Sequence, residues 1–398
     1  MRVDLADLAF ERGGALLVKR ALRAAPPAEG VTVFGRAPDL AVHLRAWCRA
    51  EGHEFRWVEN NGTGHAWIMR GPAAGQRWSG AERAGQADPH VRDAVLEHPP
   101  QRWGLAGRGA LVEAGSPEFR FQLDRKSEVW SADVARMYAQ AAAAQWDPAT
   151  AVPWDAEFDL PAEVEDAIVQ VMTYLIENET AALVVPARFV AQLHPHFREV
   201  MQLLAIQAAD EARHIEVFTR RALLKRKELG LSTAGGQASL QTLVDEPNFA
   251  IASFLLSVLG EGTFLNLLWF LERSAPDPVT SAVCRLAAQD EARHVAFGMA
   301  HLREHLQAQP WMRETLMNAV RRRHESLRHT AGLNAEVFDA LVLLAAGSWD
   351  CADIGTGHDA VSTLVQEMHN GRKRRLLHLG FSDAGAEEMS ALHTRNFM

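Results

Sequence analysis

Cysteine is scarce in this chain, and that scarcity limits the sites it can build. The 398 residues contain three cysteines, Cys48, Cys284 and Cys351, which lie far apart in the sequence. An odd number at such separations has neither the pairing of a disulfide framework nor the spacing of a cysteine-rich zinc site. The N-terminus also lacks a basic stretch followed by an apolar one, so no signal peptide is evident. These absences favour a cytoplasmic protein in a reducing environment.

Positive charge is in deficit as well. The chain has 41 lysines and arginines against 50 aspartates and glutamates, a net charge of −9 with histidine neutral. Nucleic-acid binders are usually basic, so we expect no nucleic-acid partner. Two short basic runs, 321–329 and 371–378, fall in helical patterns. We interpret them as solvated helix faces or subunit contacts, with a binding patch as the alternative.

Long apolar runs are few, and the strongest one contains a charge. Residues 251–271 are mostly apolar, but Glu261 lies at the centre and Asn266 follows it. A charge at the middle of a membrane costs roughly 2.5–3.5 kcal/mol even on a lenient insertion scale. The run therefore predicts a buried core helix, and we expect no membrane association.

Residues 1–75 alternate between strand-like and helix-like patterns. Helical patterns cover 13–25 and 37–53, β-rich stretches flank them, and a hairpin pattern surrounds Asn61 and Gly62. The order is βαβαββ, so we predict a small α/β domain.

The stretch DLAVHLRAWCRAEGHEF, residues 39–55, resembles the small sulfur-carrier and sulfurtransferase domains. That family carries a Cys-Pro-x-Pro motif at the start of its first helix, whereas this chain has RGGALLV at 12–18. Cys48 lies inside the second helix instead. The resemblance, with this departure, implies a domain that has lost sulfur transfer and serves docking or dimerisation.

The remainder of the chain divides into a linker and a helical region. Residues 76–126 are rich in Gly, Pro, Arg and Trp, which is typical of a linker with some local structure. From Ser127 the pattern becomes helical, and beyond Pro161 it is helical almost without interruption. The predicted domains are therefore 1–75 and 127–398, joined by that linker.

The pentapeptide Asp-Glu-Ala-Arg-His occurs twice, eighty residues apart. Residues three apart lie on one face of a helix, so Glu211 projects with His214, and Glu291 with His294. A four-helix bundle can hold two metal ions with Glu-x-x-His from two helices and one glutamate from each of the others. A single Glu-x-x-His is common on helices and would not by itself indicate a metal site. The prediction of a two-metal site depends on the motif occurring twice.

Each pair then requires an upstream helix with an inward-facing glutamate. Glu261 precedes Glu291 by 30 residues and shares its helix face with apolar residues such as Val258 and Leu265. A buried carboxylate in that position needs a partner or a metal.

Two glutamates are available upstream of the first pair. Glu179 precedes Glu211 by 32 residues and shares its face with apolar residues such as Leu175 and Leu183, whereas Glu177 faces a more polar side. We therefore favour Glu179 as the ligand and keep Glu177 as the alternative.

Electrostatics favours metal ions over empty carboxylates. One like-charge contact at about 4 Å costs roughly 4 kcal/mol at an effective dielectric of 20, and a whole domain is stable by only about 5–15 kcal/mol. Two divalent ions would balance four glutamates, and oxygen ligands with two imidazoles suit iron or manganese better than a structural zinc site. The candidate metal ligands, which are also the candidate catalytic residues, are Glu179, Glu211, His214, Glu261, Glu291 and His294.

The residues beside these ligands have an orienting role in the same hypothesis. A metal-binding imidazole usually donates its other N–H to a carboxylate. We predict that Asp210 and Asp290 each orient the histidine of the other repeat, and that Arg213 and Arg293 pair with these carboxylates.

The helical region from about Ser127 resembles the ferritin-like di-iron carboxylate proteins, and within them the oxygenases related to p-aminobenzoate N-oxygenase. The resemblance rests on a glutamate followed by Asp-Glu-x-Arg-His, found twice. It implies a mainly α fold: a ferritin-like four-helix bundle with extra C-terminal helices, next to the small N-terminal α/β domain. The extra histidine ligand of the N-oxygenase corresponds to Ala287 here, so the site is of a plain six-ligand type.

The same resemblance implies an activity. It implies two iron ions, with manganese as the alternative, O2 as co-substrate, and oxidation of a small molecule at an amine or hydroxylamine nitrogen or at an aryl carbon. No GxGxxG motif follows a strand, so electrons would come from an external donor, a reductase or a reduced flavin. A homodimer is also implied.

Other functions share parts of this pattern. A ribonucleotide reductase small subunit stores a radical on a tyrosine one turn after the first ligand histidine, where this chain has Phe218. A ferroxidase or iron-handling ferritin-like protein is the main alternative, although such chains are usually shorter. A third hypothesis is a non-enzymatic interaction protein in which the metals are purely structural. If the protein is an oxygenase, a fatty-acyl or acyl-carrier substrate is a further alternative.

Two histidine-rich stretches have simpler interpretations. HLREH at 301–305 matches a zinc protease pattern, but short patterns match by chance in a histidine-rich helix, so we interpret it as a surface helix end. In LHPHF, His194 and His196 are interpreted as loop-capping residues, with a role at a pocket entrance as the alternative.

Overall fold

The chain folds into two compact units in the computed structural model. The described residues are 1–26, 29–60, 63–71, 78–328, 330 and 335–393. One unit comprises residues 1–84 with 109–117, and the other comprises 85–108 with the residues from 118 onward. The segment predicted as a linker, 76–126, is thus divided between the two units.

The N-terminal unit is a small α/β structure. Its elements are β1 (Arg2–Asp4), α1 (Gly14–Ala24), β2 (Gly30–Phe34), α2 (Leu40–Glu51), β3 (Glu54–Asn60) and β4 (Thr63–Met69), followed by the short paired strands β5 (Glu82–Arg83) and β6 (Leu111–Val112). The sheet order is β1-β2-β4-β3, with β1 parallel to β2 and the other neighbours antiparallel. This is the predicted element order; residues 61 and 62 of the predicted hairpin turn lie outside the described residues.

The core of this unit contains its cysteine. Val18 of α1, Leu44 and Cys48 of α2, and Ile68 of β4 are all buried in one cluster. Burial raises the pKa of the Cys48 thiol to about 12. A thiol that is buried and protonated is chemically inert, so Cys48 does not replace the nucleophile that the sulfurtransferase-like resemblance leads one to seek.

The second unit is predominantly helical. Its helices are α3 (Lys126–Val129), α4 (Val134–Ala143), α5 (Ala162–Val190), α6 (Arg198–Ala222), α7 (Ala234–Val244), α8 (Phe249–Ser253), a π-helix (Phe254–Glu261), α9 (Gly262–Ser274), α10 (Pro278–Ala308), α11 (Met312–Leu327), α12 (Ala335–Ala346), α13 (Cys351–His378) and α14 (Asp383–His393). Helices α5, α6, α10 and the continuous segment 249–274 form the bundle, and α11–α14 are the extra C-terminal helices. The predicted fold class is confirmed as a mainly α chain, with a helical bundle, extra C-terminal helices and a small α/β unit.

The third bundle helix is not a regular α-helix. It begins after Asn248, whose side chain accepts a hydrogen bond from the Ile251 N–H at 3.0 Å. From Phe254 to Glu261 the backbone is a π-helix, all of whose residues are buried, and α9 then resumes the regular spiral. π-Helices are rare and occur frequently at functional sites.

Two bundle helices are long and apolar enough to cross a membrane by length and composition alone. They are Ala162–Val190 and Phe249–Ser274, and 67% and 83% of their apolar windows are buried inside the fold. Their apolar character is therefore explained by packing in the bundle core, as predicted for the run 251–271.

A buried ionic network ties three bundle helices together at one end. Arg221 of α6 donates to Glu165 of α5 at 2.7 Å, to Asp277 at 2.8 Å and to the Thr280 hydroxyl at 2.7 Å. Asp277 also caps α10 by accepting from the backbone N–H groups of Val279 and Thr280. The network has charge partners on both sides of Arg221, as a buried cation requires.

Candidate metal centre

The two sequence repeats meet in the middle of the bundle. The buried ligand atoms form two groups, and within each group all the atoms lie within 4.8 Å of one another. One group comes from Glu179, Glu211, His214 and Glu291, and the other from Glu211, Glu261, Glu291 and His294. Glu211 and Glu291 belong to both groups, so each could contribute to the binding of either of two ions. The remaining pairs define two halves, the Glu179 half (Glu179 and His214) and the Glu261 half (Glu261 and His294). The structure thus brings all six predicted ligands together.

Both histidines direct Nδ1 toward the carboxylates. His214 Nδ1 lies 3.1 Å from Glu211 Oε2 and 3.5 Å from Glu179 Oε2. His294 Nδ1 lies 3.1 Å from Glu211 Oε1 and 3.5 Å from Glu291 Oε2. The Nδ1 atoms and the glutamate oxygens therefore surround the same small space, as the ligands of a shared metal pair would.

The repeated aspartates pair across the two repeats. His214 Nε2 lies 3.1 Å from Asp290 Oδ2, and His294 Nε2 lies 3.2 Å from Asp210 Oδ2. These are the crossed pairs that the repeat pattern predicts. A carboxylate accepting from Nε2 holds the ring proton there, which leaves the lone pair of Nδ1 available to a metal.

The repeated arginines hold those aspartates in place. Arg213 donates to Asp210 Oδ1 at 2.5 Å and to Asp290 Oδ2 at 2.9 Å. Arg293 donates to Asp290 Oδ1 and lies 3.9 Å from Asp210 Oδ2. The predicted pairing of the two arginines with the two aspartates is thus present in the structure.

Asp210, Asp290, Arg213 and Arg293 form a belt of charged side chains around the two histidines. Two further residues of this belt were not predicted from the sequence. Gln145 Nε2 donates to Asp210 Oδ1 at 2.8 Å, and Trp146 Nε1 donates to Asp290 Oδ2 at 2.8 Å. The Arg213 guanidinium lies 4.6 Å from the centre of the Trp146 ring. Both residues follow α4, outside the repeats, and the only sequence signal is that they end an alanine-rich helix pattern.

Gln207 is a third residue that sequence reasoning missed. Its Nε2 donates to Glu261 Oε1 at 2.8 Å. It lies one turn before Glu211, and the matching position of the second repeat is Ala287, which is buried and apolar. A comparison of the repeats at that one position would have singled out Gln207.

Burial and mutual repulsion perturb the carboxylates strongly. Burial, reinforced by Glu291, raises the pKa of Glu211 well above its usual value and that of Glu261 to about 8. Burial also disfavours ionisation of Glu291, but the adjacent His294 and His214 outweigh it and lower the pKa of Glu291 to about 2. Without metal, protons must supply the positive charge that the centre requires.

The pKa values of the two histidines are raised for the same reason, since the surrounding carboxylates favour positive charge. Burial disfavours the imidazolium of His294, yet Glu211 and Glu291 outweigh burial and raise the pKa of His294 well above its usual value. His214 behaves in the same way, with Glu179 as the main opposing charge. Two divalent ions would provide this charge without protonating any ligand.

Several atoms of the candidate metal ligands are buried and make no hydrogen bond. Buried atoms without a hydrogen-bond partner include Glu179 Oε1, Glu261 Oε2 and both Glu291 oxygens. Glu211 Oε1 and His294 Nδ1 face each other at 3.1 Å but are not oriented as acceptor and donor. Buried polar atoms are normally satisfied, and a cluster of unsatisfied ones that converge indicates an absent ion. The residues present therefore fit two metal ions of the iron or manganese type.

The Glu261 half has supports that the Glu179 half lacks. Ser257 of the π-helix lies close enough to Glu261 to lower the pKa of that carboxyl, against the larger effect of burial. Gly298 of α10 allows close packing there, since a Cβ at 298 would lie 2.5 Å from Ser257 Cβ. Arg375 of α13 donates through Nε to the Val258 carbonyl at 2.8 Å. The π-helix is thus held from α10 on one side and from α13 on another.

The other sequence candidates take different places. Glu179 is buried in the centre, whereas Glu177 is half-buried and belongs to neither group of potential ligands among the described residues. In LHPHF, His194 accepts from the His196 N–H at 3.1 Å, and His196 accepts from the Leu96 N–H at 3.0 Å. These are the capping contacts expected of loop histidines.

The interpretation of HLREH as a surface helix end is wrong. His301 and His305 are buried, because α10 continues through the core beyond the metal ligands. His301 Nε2 lies 2.7 Å from the Ser253 hydroxyl, and Glu304 accepts from the Ala132 N–H at 2.7 Å. None of these residues belongs to a potential metal group in the described part of the chain.

A narrow pocket lies beside the Glu261 half. Its volume is about 20 Å³, and its walls are Val185, Pro186, Phe189, Leu204, Gln207, Phe249, Ser253, Leu256, Ser257 and Phe297. Gln207 connects it to Glu261 by a hydrogen bond, and Ser257 lies near the same carboxyl. The space is close to that of a single water molecule, and its lining is mainly apolar.

No protein-family model matches the chain, and no curated protein matches it. Among solved structures, an R2-like ligand-binding oxidase from Sulfolobus acidocaldarius is similar at 18% identity, over 59% of this chain and 89% of that one, with a TM-score of 0.40. A second R2-like ligand-binding oxidase, with an aerobically reconstituted metal cofactor, is 13% identical over 66% and 90%, with a TM-score of 0.41. A variant with an Mn/Fe cofactor is 14% identical over 64% and 92%, with a TM-score of 0.42. At these TM-scores the likenesses carry no inference about function.

Proposed function

We propose that this chain is an O2-activating oxidase with two iron ions, or manganese and iron, in the bundle centre. The observation that carries the proposal is the convergence of four buried glutamates and two histidines, in which every glutamate keeps at least one oxygen without a hydrogen-bond partner. Iron or manganese would supply the redox electrons at this position, since carboxylate and imidazole side chains supply none.

The side chains have distinct roles in this proposal. Glu211 and Glu291 would be shared by both ions, while Glu179 with His214 and Glu261 with His294 would hold one ion each. The aspartate and arginine belt keeps the proton of each imidazole on Nε2, away from the metal face. Burial of all six ligands excludes bulk water, which protects reactive oxygen chemistry from side reactions.

The substrate side of the proposal rests on the pocket beside Glu261. Its apolar walls favour a small, largely apolar molecule, and Gln207 and Ser257 offer hydrogen bonds near the metal face. We propose oxidation at an amine or hydroxylamine nitrogen or at an aryl carbon of such a molecule. An external reductase or reduced flavin as electron donor, a homodimer and a cytoplasmic location belong to the same proposal.

The first test is metal content combined with O2 consumption. The protein would be loaded anaerobically with Fe2+, desalted, analysed for iron by mass spectrometry and mixed with O2 in an oxygen electrode. We expect about two iron ions per chain, because the six residues form two ligand groups of the kind that holds two ions in a helical bundle, and O2 uptake that stops unless an external reductant is added. Absence of iron uptake would overturn the metal centre and the function together.

A ferroxidase is the second candidate, and the small pocket volume favours it. A space for about one water molecule admits O2 but not an organic substrate without side-chain movement. Continuous oxidation of added Fe2+, with more than two ions consumed per chain, would support the ferroxidase. Substrate-dependent O2 uptake during a screen of amines and small aromatic molecules would support the oxidase.

A further inference from the structure

The N-terminal unit contains a cavity that the metal chemistry does not use. Its volume is about 650 Å³, within the range of roughly 300–1,000 Å³ typical of small-molecule sites. It is lined by residues from the C-terminal parts of α1 and α2, from the positions just before β3 and just after β4, and from the later part of the same unit. These are Lys19, Leu22, Arg23, Trp47, Arg49, Ala50, Glu51, Gly52, His53, Arg70, Trp78 and Leu111.

The cavity is strongly basic. Lys19, Arg23, Arg49 and Arg70 line it, and Glu51 is the only acidic residue among the described lining residues. The partial negative charge at the C-terminus of α2, near Gly52, offsets about half of one further charge. The walls therefore carry an excess of positive charge in a chain that is acidic as a whole.

The four cations of the cavity have no carboxylate partner among the described residues. Elsewhere in the same unit an arginine is paired: Arg36 donates twice to Asp7, at 2.8 and 2.6 Å. Clefts lined by charge of one sign concentrate ions of the opposite sign. Phosphate accepts several hydrogen bonds at once and, like carboxylate, matches the donor geometry of the arginine guanidinium.

Aromatic rings provide a second kind of surface in the cavity. The half-buried Trp47 packs edge-on against Phe10 and His53, with ring centres 5.6 and 5.0 Å apart. Trp78 is 39% exposed and lies on the wall from the later part of the unit. Rigid indoles at the edge of a basic cavity suit a ligand with a planar ring.

The state of His53 shows that the basic groups act on the cavity wall together. Burial lowers the pKa of His53, and the charges of Arg70 and Lys19 lower it further, against an opposing effect of Glu51. His53 also accepts a weak hydrogen bond from the Gly71 N–H at 3.4 Å. The histidine thus adds a neutral polar group to the cavity rather than another charge.

We propose that this cavity binds a small phosphorylated molecule with a planar ring, of the size of a nucleoside monophosphate. Arg49 and Arg70, with Lys19 and Arg23, hold the phosphate, and the indoles of Trp47 and Trp78 contact the ring. With its single cysteine inert in the core, the N-terminal unit then acts as a ligand-binding module. The site is independent of the proposed oxidase activity.

The test is calorimetric titration of the full chain with AMP, inorganic phosphate and adenosine as separate probes. We expect AMP to bind more tightly than either part, with affinity that falls as salt rises. Arg49→Gln and Arg70→Gln should each weaken AMP binding by about tenfold or more, because each removes a charge-assisted hydrogen bond. Trp78→Ala should weaken AMP and adenosine while leaving phosphate unchanged.

Matched controls lie on the same helices outside the cavity. Arg20→Gln on α1 and Arg45→Gln on α2 make the same change in net charge and should leave AMP binding unchanged. Circular dichroism would show whether each variant is folded. Equal losses in the cavity and control variants, or no AMP binding at millimolar concentration, would overturn the proposal. Tighter binding of a single-stranded oligonucleotide with the same arginine dependence would also overturn it, in favour of a nucleic-acid surface.

Discussion

The two halves of the metal centre present nearly the same ligands on differently built helices. Glu179 projects from α5, which is α-helical from Ala162 to Val190 although it contains Pro186, whereas Glu261 ends a π-helix. Glu261 also accepts from Gln207, while the equivalent position of the second repeat, Ala287, offers no donor to Glu179. The repeated motif is symmetric, but the packing that supports it is not.

This difference locates the variable part of the centre. Glu211 and Glu291 are common to both ligand groups, and the crossed histidine–aspartate pairs are equivalent in the two halves. The narrow pocket, the π-helix and the contact from α13 all lie on the Glu261 side. We infer that the Glu179 half mainly holds metal, while the Glu261 half also meets whatever enters the pocket.

The largest expected effect is on metal content, and it differs between a ligand that belongs to both groups and a ligand that belongs to one. Glu211→Ala should abolish binding of both ions, because Glu211 belongs to both ligand groups. Glu261→Ala should retain the ion of the Glu179 half. Iron content per chain, measured after anaerobic loading and desalting, distinguishes the two results.

The matched control for these variants is Glu177→Ala on α5. It should leave metal content unchanged, because Glu177 lies outside both ligand groups. Loss of metal in Glu177→Ala, with retention in Glu179→Ala, would instead assign the ligand role to Glu177.

The next effect tests the tie between the helices of the two halves. Arg221→Met should lower the free energy of unfolding by about 3–5 kcal/mol, because it leaves Glu165 and Asp277 buried without their cation. Urea denaturation followed by circular dichroism measures this change. The control Arg226→Met removes an ion pair with the exposed Asp166 and should cost about 1 kcal/mol or less; similar losses in both variants would contradict the structural role of Arg221.

A smaller effect tests the crossing of the repeats. Asp290→Asn should weaken the ion of the Glu179 half by about 10–100-fold, because Asp290 orients His214. Asp210→Asn should weaken the Glu261 half in the same way, through His294. Competition with a chelator, combined with Mössbauer spectra of 57Fe-loaded protein, reports each half separately. Weakening of the same half by both variants would contradict the crossed arrangement.

The smallest effect sharpens the contrast between the α-helix and the π-helix. Arg375→Met removes the donor to the Val258 carbonyl, and Gly262→Ala places a Cβ against the Arg375 side chain. Each should weaken only the Glu261 half, by about 3–10-fold, as expected for one lost hydrogen bond. Arg374→Met, an exposed neighbour on α13, is the control. Equal weakening of both halves would mean that Arg375 stabilises the bundle in general rather than the π-helix.

Much of the candidate metal centre was predictable because its ligands follow from the spacing of neighbouring residues along a helix. Glu-x-x-His places two ligands on one helix face, and an apolar surround marks Glu179 and Glu261 as inward-facing. The buried run 251–271 was correctly predicted as a core helix. The prediction of HLREH as a surface end failed because His301 and His305 continue a periodic pattern whose burial depends on what packs against α10.

The sequence by itself determined the mainly α fold, the six converging ligands and the crossed partners of the histidines, because helical periodicity and an exact repeat express them within a few residues. Only the tertiary structure decided the π-helix, the belt residues Gln145 and Trp146, the contact of Gln207 with Glu261 and the hold of Arg375 on Val258. These contacts join residues 54 to 144 positions apart in the chain. No local pattern encodes such pairs, because they form only when the packed helices bring the side chains together.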